Sequence, residues 1–473
     1  METSPDSTGS EAVKNKIPKK LLRSPEARFN SIKAGKACFS KLISPIKIST
    51  FFKTIWEKKP LCVTRNNYSY YENVCSMLDF KKALAEKDVY FGENIDVTTY
   101  INGVKACENH VGRANPKKVM DLYKKGRSIR LLNPQTFIKN VRCFTTQLQE
   151  YFRCFVGANI YLTPGNSQGF APHYDDVEAF VLQLSGRKEW RIYNPRPNED
   201  LVRFSSHNFV DADIGQPILK VILEPGDLLY FPRGVIHQAQ ALEEGSMHIT
   251  VSCYQRNSYA DFLEMLLPVA LQTAISEDVQ YRKGLPKNYL DHLGMVASDT
   301  KTKQRRQIIS HIKKLVNKLT DHLPIDSCAD QFGKKFIHDA LPPIIGKGED
   351  LFISFFFLLI SNEKSTESYR PSTVLQITIP KYYFFLRLVC EDEKFKLYYN
   401  TKNGLVYHEV GHKSIKIPET WAMMSEILLK NYPNFTDFGV LLDSVGNADD
   451  VIEFVEELCK RRLLLFDKPL REE

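Results

Sequence analysis

The pattern of apolar and polar positions changes character along the chain. Between residues 155 and 256 short apolar runs alternate with turn signals: ANIYL then TPGNSQG, VEAFVLQL then SGRK, EWRIY then NPRPNED, PILKVIL then EPGD, LLYF then PRG, and lastly MHITVSCY. Short runs punctuated by Gly and Pro predict a β-sandwich or barrel. After Gln255 the period lengthens. YADFLEMLLPVALQTAISEDVQYR (259–282) and RRQIISHIKKLVNKLTDHL (305–323) carry apolar residues at three- and four-residue intervals, which predicts helices. Their stripes, with Leu263, Leu266 and Leu267 on one and Ile308, Ile312 and Leu315 on the other, exceed what one barrel wall covers. A homodimer or higher homo-oligomer built through 259–323 is therefore expected.

The flanks read differently. Before the strands, MLDFKKALAEK (77–87) is a helical patch, and residues 1–30 are polar and basic, which predicts disorder. The Pro pair 342–343 and GKGED (346–350) mark a boundary. Beyond it, strand-like PKYYFFLRLVC, KFKLYY and GLVYHEV mix with helix-like ETWAMMSEILLKNY and ADDVIEFVEELCKRRL. The fold class expected is α+β: a disordered basic arm (1–30), a barrel domain (31–256), a helical dimerisation region (257–345) and a winged-helix-like domain (346–473).

Composition narrows the partners. At 473 residues the chain is long enough for two or three domains, and 43% hydrophobic and 11% aromatic content can fill their cores. The net charge is +8, and residues 1–60 carry thirteen Lys/Arg against five Asp/Glu, so the whole surplus sits there. The cluster Lys14, Lys16, Lys19, Lys20 and Arg23 points to nuclear import or to contact with nucleic acid or an acidic surface. Residues 346–473 hold sixteen basic and twenty acidic side chains, which argues against a DNA-binding winged helix and against direct nucleic acid binding. The ten cysteines form no CxxC pair, against a zinc ribbon or a disulfide scaffold, and fit buried thiols in a reducing compartment. The start METSPDSTGS is too polar for a signal peptide, and the longest apolar run, Leu351 to Ile360, is too short to span a membrane, so no membrane partner is expected.

Candidate chemistry centres on His173-Tyr174-Asp175, with His237 sixty-four residues after His173. On a strand, positions i and i+2 share a face, so His173 and Asp175 can hold one ion while His237 arrives from another strand. Two His and one carboxylate form the facial triad of non-haem Fe(II) oxygenases, which leaves positions open for 2-oxoglutarate and O2. An HxD alone is a weak signal. The second histidine, however, closes Gly226-x5-Pro232-x-Gly234-x2-His237, the second motif of cupin barrels, whose turn residues swing it inward. Such an oxygenase also needs a cation for the distal carboxylate of 2-oxoglutarate. Lys188, fifteen residues after His173, is the candidate and Arg187 the competitor; if Lys188 points in, Arg187 and Glu189 point out. By the same alternation His248, Thr250 and Ser252 share a face, as do Asn159 and Tyr161. Thr250, Ser252, Asn159 and Tyr161 are cosubstrate or substrate candidates, His248 is a core or supporting residue, and Asp176 faces away from the metal.

The stretches YLTPGNSQGFAPHYDDVEAFVLQLSGRKEWRIYNPR, LEPGDLLYFPRGVIHQA, VSCYQRNSYADFLEMLLP and KFIHDALPP closely resemble the ribosomal oxygenases, a JmjC subfamily, and within it the nucleolar branch of bifunctional histidyl-hydroxylases and lysine-specific demethylases. The likeness runs from about Asn102 to the C-terminus. It implies a JmjC double-stranded β-helix, a helical dimerisation region and a C-terminal winged helix, with Fe(2+) as cofactor and 2-oxoglutarate and O2 as cosubstrates. It implies hydroxylation of a histidine in a large-subunit ribosomal protein, demethylation of lysines in the histone H3 tail as a further activity, and residence in the nucleus and nucleolus. Metal ligands map to His173, Asp175 and His237, and the cosubstrate lysine to Lys188. Asn159 and Tyr161 lie in the preceding strand, and Arg130 and Ser252 map near cosubstrate or substrate. A non-catalytic cupin scaffold or chromatin interaction module is the alternative, against which the intact triad and Lys188 both argue.

Overall fold

Nine strands make one bent antiparallel sheet: β1 (Leu61–Val63), β2 (Ile95–Ile101), β3 (Val104–Cys107), β4 (Ser128–Leu132), β5 (Val156–Thr163), β6 (Glu178–Tyr193), β7 (Leu219–Leu223), β8 (Leu228–Phe231) and β9 (Ile236–Cys253). Their order is β1-β8-β6-β9-β5-β4-β2-β3, with β7 also on β6. This computed structural model describes residues 31–342, 376–378, 386–400, 411–432, 434–461 and 463–466. The basic arm 1–30, the boundary at 346–350, the apolar run Leu351–Ile360 and the predicted strand GLVYHEV lie outside the described residues.

The alternation in β5 shows how the sequence builds the barrel wall. Val156, Ala158, Ile160 and Leu162 are buried in the main apolar core, whereas Gly157, Asn159 and Tyr161 face the other way. The core side is thickened by helices that precede or lie between the first strands: α1 (Ser31–Ile43), α2 (Ile48–Thr54), α3 (Met77–Glu86), α4 (Pro116–Lys124) and α5 (Lys139–Phe152). Phe39, Phe51 and Phe152 from these helices join Phe180 and Tyr230 of the sheet in one buried aromatic cluster. Rings at edge and offset geometry add to the burial of their area.

Two expectations about strands are corrected. The SGRK segment is not a turn: residues 178–193 form a single strand, and the register against β9 shifts between Gln183 and Ser185 and again between Gly186 and Lys188. Such bulges bend a strand without ending it, so β6 and β9 each serve both halves of the barrel. Gly186 is fixed by this bend. Its φ is 61°, and a Cβ there would lie 2.1 Å from the Gly245 carbonyl oxygen. MHITVSCY is likewise only the end of β9, an 18-residue strand that begins next to His237.

Beyond the barrel come α6 (Tyr259–Glu277), α7 (Val279–Arg282), α8 (Lys303–Lys318) and α9 (Ile325–Asp339). The first predicted helix stops earlier than 282, because Asp278 is extended and caps α7 through Gln280. A Ser258–Asp261 capping box starts α6, and Arg203 pairs with Asp261 and Glu264 to tie that helix to the barrel. In the C-terminal part β11 (Leu386–Glu391), β12 (Lys394–Tyr399) and β13 (Ser414–Ile417) form one small sheet. A second joins β10 (Gln376–Thr378), β14 (Thr436–Asp437) and β15 (Leu465–Phe466). With α10 (Glu419–Asn431), α11 (Phe438–Val445) and α12 (Ala448–Lys460) they build a winged-helix arrangement. Its apolar core is separate, with Phe438, Phe454 and Leu458 inside.

Candidate active site

The inner face of the barrel is assembled by register. Asn159 stands opposite Thr250, Tyr161 opposite His248 and Gly157 opposite Ser252, while Arg130 and Leu132 on β4 face Tyr161 and Asn159. All of these residues line one cavity of about 400 Å³, which also takes in His173, Asp175, Lys188 and His237. The fold therefore brings together every candidate site residue of the sequence. Strand alternation carries most of that outcome, because one face of β5 and one face of β9 meet in the same interior.

His173 and His237 exchange backbone hydrogen bonds at 3.2 and 2.9 Å, an isolated bridge ahead of β6. Here too an expectation changes. Asp175 is not on a strand; it lies in irregular chain after His173, where its carbonyl accepts from Gly234 N at 3.0 Å. The ligand atoms of His173, Asp175 and His237 all lie within 4.8 Å of one another, the single such group among the described residues. The Nε2 atoms of His173 and His237 lie 3.9 and 3.8 Å from Asp175 Oδ2.

Each imidazole is oriented by its own neighbour. His173 Nδ1 lies 2.8 Å from the Ala171 carbonyl and His237 Nδ1 3.1 Å from the Val235 carbonyl. A carbonyl only accepts, so Nδ1 carries the proton and Nε2 is left with its lone pair toward Asp175. Burial, reinforced by neighbouring His173, pulls His237 down to about 4, so its ring is neutral at physiological pH, as a metal ligand must be. Two neutral imidazole nitrogens and a carboxylate oxygen suit Fe(II). Trp190 and Phe231 shield His237, with ring centroids 6.1 and 4.5 Å away.

Lys188 points inward, 5% exposed, while Arg187 pairs with Glu244 outside and Glu189 with Arg191 and Lys220. Its ammonium donates to Thr163 Oγ1 at 3.0 Å and has no carboxylate partner among the described residues. Burial alone pushes it down to about 7. A lysine so placed is a receptor for an anion, since a carboxylate beside it restores both its charge and its ordinary affinity for the proton. His248 stacks on Tyr161 at 4.7 Å and is held well below its usual range by burial and by Lys188, so it stays neutral within the wall. Asp176 is not among the grouped ligand atoms, yet it does not face away as expected: it lines the same cavity, where it accepts from Ser205 and Gln255.

Arg130 pairs with Asp96 on β2 and lies over the Phe170 ring at 5.2 Å. Asp96 gave no sign in the sequence: it is thirty-four residues from Arg130, and only the β2–β4 register brings the two together. Thr163 was also missed, although it continues the Asn159, Tyr161 alternation.

Comparison with known proteins agrees with this geometry. Residues 130–262 match the JmjC domain, and residues 341–470 match the C-terminal winged helix domain of Ribosomal oxygenase 1. A bifunctional lysine-specific demethylase and histidyl-hydroxylase NO66 from Aedes aegypti is 44% identical over 439 residues, covering 92% of this chain and 68% of that protein. Ribosomal oxygenase 1 from Gallus gallus is 42% identical, covering 95% of this chain and 75% of its own length. YcfD, a ribosomal oxygenase from Escherichia coli, superposes loosely, with a TM-score of 0.45 and 15% identity over 90% of this chain and 99% of its own. On its two matched domains and on the Aedes aegypti and Gallus gallus relatives, which match 92% and 95% of its length, the chain belongs to the ribosomal oxygenase family of JmjC oxygenases.

Proposed function

We propose that this chain hydroxylates a histidine side chain of a large-subunit ribosomal protein. Its cofactor class is that of its family: Fe(II), with 2-oxoglutarate and O2 as cosubstrates. The observation that carries the reading is the pairing, in one cavity, of a His–Asp–His group with a buried lysine that lacks a carboxylate partner among the described residues. When bound, iron would let O2 act as the oxidant and 2-oxoglutarate as the co-reductant, so that one oxygen atom of O2 enters a C–H bond and the other enters succinate as CO2 leaves.

The chain's own residues bind, orient and enclose. His173, Asp175 and His237 would hold the metal on one side, leaving the cavity side open. Lys188, kept in place by Thr163, would take the distal carboxylate. Asn159, Tyr161, Thr250 and Ser252 offer hydrogen-bonding groups on the same wall. Arg130, beside Tyr161 on the neighbouring strand, and Phe170, whose ring meets that of Tyr161, belong to the same wall, where they would contact the substrate peptide. Placement decides which C–H bond reacts, because an error of about an ångström costs roughly a hundredfold in rate.

Demethylation of methyl-lysines in the histone H3 tail begins with the same C–H insertion, followed by loss of formaldehyde; it rests on the bifunctional names of the relatives. Nuclear and nucleolar residence rests on the basic arm and the family likeness, and deletion of residues 1–30 is expected to lower nuclear accumulation in imaging. Association of two copies rests on the apolar residues that α6 and α8 leave exposed. The catalytic reading is tested by succinate release with Fe(II), 2-oxoglutarate and ribosomal-protein peptides. Release that depends on peptide supports it; no release under any condition favours the scaffold.

A further inference from the structure

Outside the cavity lining lies a largely buried polar cluster. Arg233 Nη1 donates to Glu178 Oε1 at 2.9 Å and sits 2.7 Å from Glu57 Oε1. Tyr230 donates its hydroxyl to the other Glu178 oxygen and accepts from the Glu57 backbone N–H at 3.0 Å. Glu178 is 0% exposed and Arg233 7%. Buried ion pairs of this kind contribute little net stability over well-packed apolar side chains, so stability alone does not explain them.

Their positions along the chain do. Glu178 follows Asp175 by three residues and Arg233 precedes His237 by four, and the Gly234 N–H on Asp175 O links the same two segments. The third corner, Glu57, follows α2 and holds a left-handed backbone with φ 55°. A non-glycine residue in that region is strained, and such strain persists only where surrounding contacts hold it. Those contacts are its carboxylate on Arg233 and its N–H on Tyr230.

We propose that Glu57, Glu178 and Arg233 are positioning residues that set the separation of the Asp175 and His237 segments, so that the N-terminal segment, outside the matched JmjC domain, forms part of the metal centre. This rests on the metal reading of His173, Asp175 and His237. The clamp acts through the backbone: Glu178 fixes the start of β6, Arg233 fixes the turn before β9, and Glu57 holds both from outside the barrel.

Co(II) binding to the full chain, followed by its visible absorption, tests this in wild type, Glu57→Gly, Arg233→Lys and His173→Ala. Glu57→Gly relieves the strained φ and empties no core site, so its fold and melting temperature should hold. It is expected to bind Co(II) about tenfold more weakly, with a shifted ligand-field band, in the range seen when supporting residues of metal sites are changed. Arg233→Lys, which keeps the charge on a shorter side chain that stops short of the Nη1 position meeting both carboxylates, should show the same band shift. Affinity within about twofold of wild type and an unmoved band in Glu57→Gly would overturn the clamp. Wild type that binds no Co(II), or His173→Ala that binds like wild type, would overturn the metal reading beneath it.

Discussion

The barrel interior and the helical region depart from ordinary burial in opposite senses. The barrel encloses polar groups: Lys188, His237 and His248 are all under 9% exposed. The helical region leaves apolar groups in water. On α6 Leu263 and Leu267 are 41% and 45% exposed, and on α8 Ile312 and Val316 are 42% and 61% exposed. A buried polar group and an exposed apolar patch are the two informative exceptions to the rule that apolar residues go inside. The first fits a surface that receives small charged ligands; on the second rests the proposed association of two copies. What separates them is the backbone beneath. Strands that alternate can keep one face apolar for the core and give the other to chemistry, whereas a helix lying on a barrel covers one stripe and exposes the next.

The sharpest way to break the barrel side of this contrast is to remove a metal ligand. His173→Ala, Asp175→Ala and His237→Ala should each abolish turnover while circular dichroism stays unchanged. Activity near wild type with added iron in any of them would end the assignment. Lys188→Ala comes next. A carboxylate left in the cavity without its cation loses on the order of 3–5 kcal/mol, a factor of a hundred or more in the 2-oxoglutarate requirement. Arg187→Ala, on the outer face, should leave it unchanged. The same residue sets a pH dependence. Burial holds Lys188 at about 7 in the free chain, and a bound carboxylate raises it, so 2-oxoglutarate binding takes up a proton above neutrality. Affinity should be full below pH 7 and fall by up to about tenfold per unit above it. Calorimetry in buffers of different ionisation enthalpy reads that proton; a flat pH profile would mean that Lys188 is not the carboxylate partner.

Smaller effects are expected at the substrate wall and on the helices. Arg130→Ala should lower peptide hydroxylation about a hundredfold while peptide-independent 2-oxoglutarate turnover is largely kept. Asp96→Asn, which loosens Arg130 without removing it, should cost about tenfold, the value of one charge-assisted hydrogen bond. Equal loss of coupled and uncoupled turnover, or a lowered melting temperature, would make the Arg130–Asp96 pair a barrel brace. On the helical side, Leu267→Asp with Ile312→Asp should shift light scattering from dimer to monomer with the barrel chemistry intact. A wild-type monomer at micromolar concentration would remove the protein-facing role from that surface.

Much of this was legible in the sequence for a physical reason: strand alternation has a period of two, so Asn159 with Tyr161 and Thr250 with Ser252 declare their shared faces locally. The outward turn of Arg187 and Glu189 beside Lys188 follows from the same rule. It failed where geometry depends on long-range register. SGRK has the composition of a turn, yet bulges keep it in a strand because β9 pairs along its whole length. Asp175 shares a side with His173 without being on a strand, because the turn carrying Gly234 holds its carbonyl. Asp96 and Glu57 reach their partners across 34 and 176 residues respectively, a separation that no local pattern encodes.

Mass spectrometry of ribosomal-protein peptides after turnover with Fe(II) and 2-oxoglutarate tests the central claim most directly, because it reads both the atom transferred and the residue that receives it. Wild type is expected to add one oxygen atom to a histidine, and His237→Ala to add none. Peptides left unmodified while 2-oxoglutarate is consumed, or oxygen found only on residues other than histidine, would contradict the assignment.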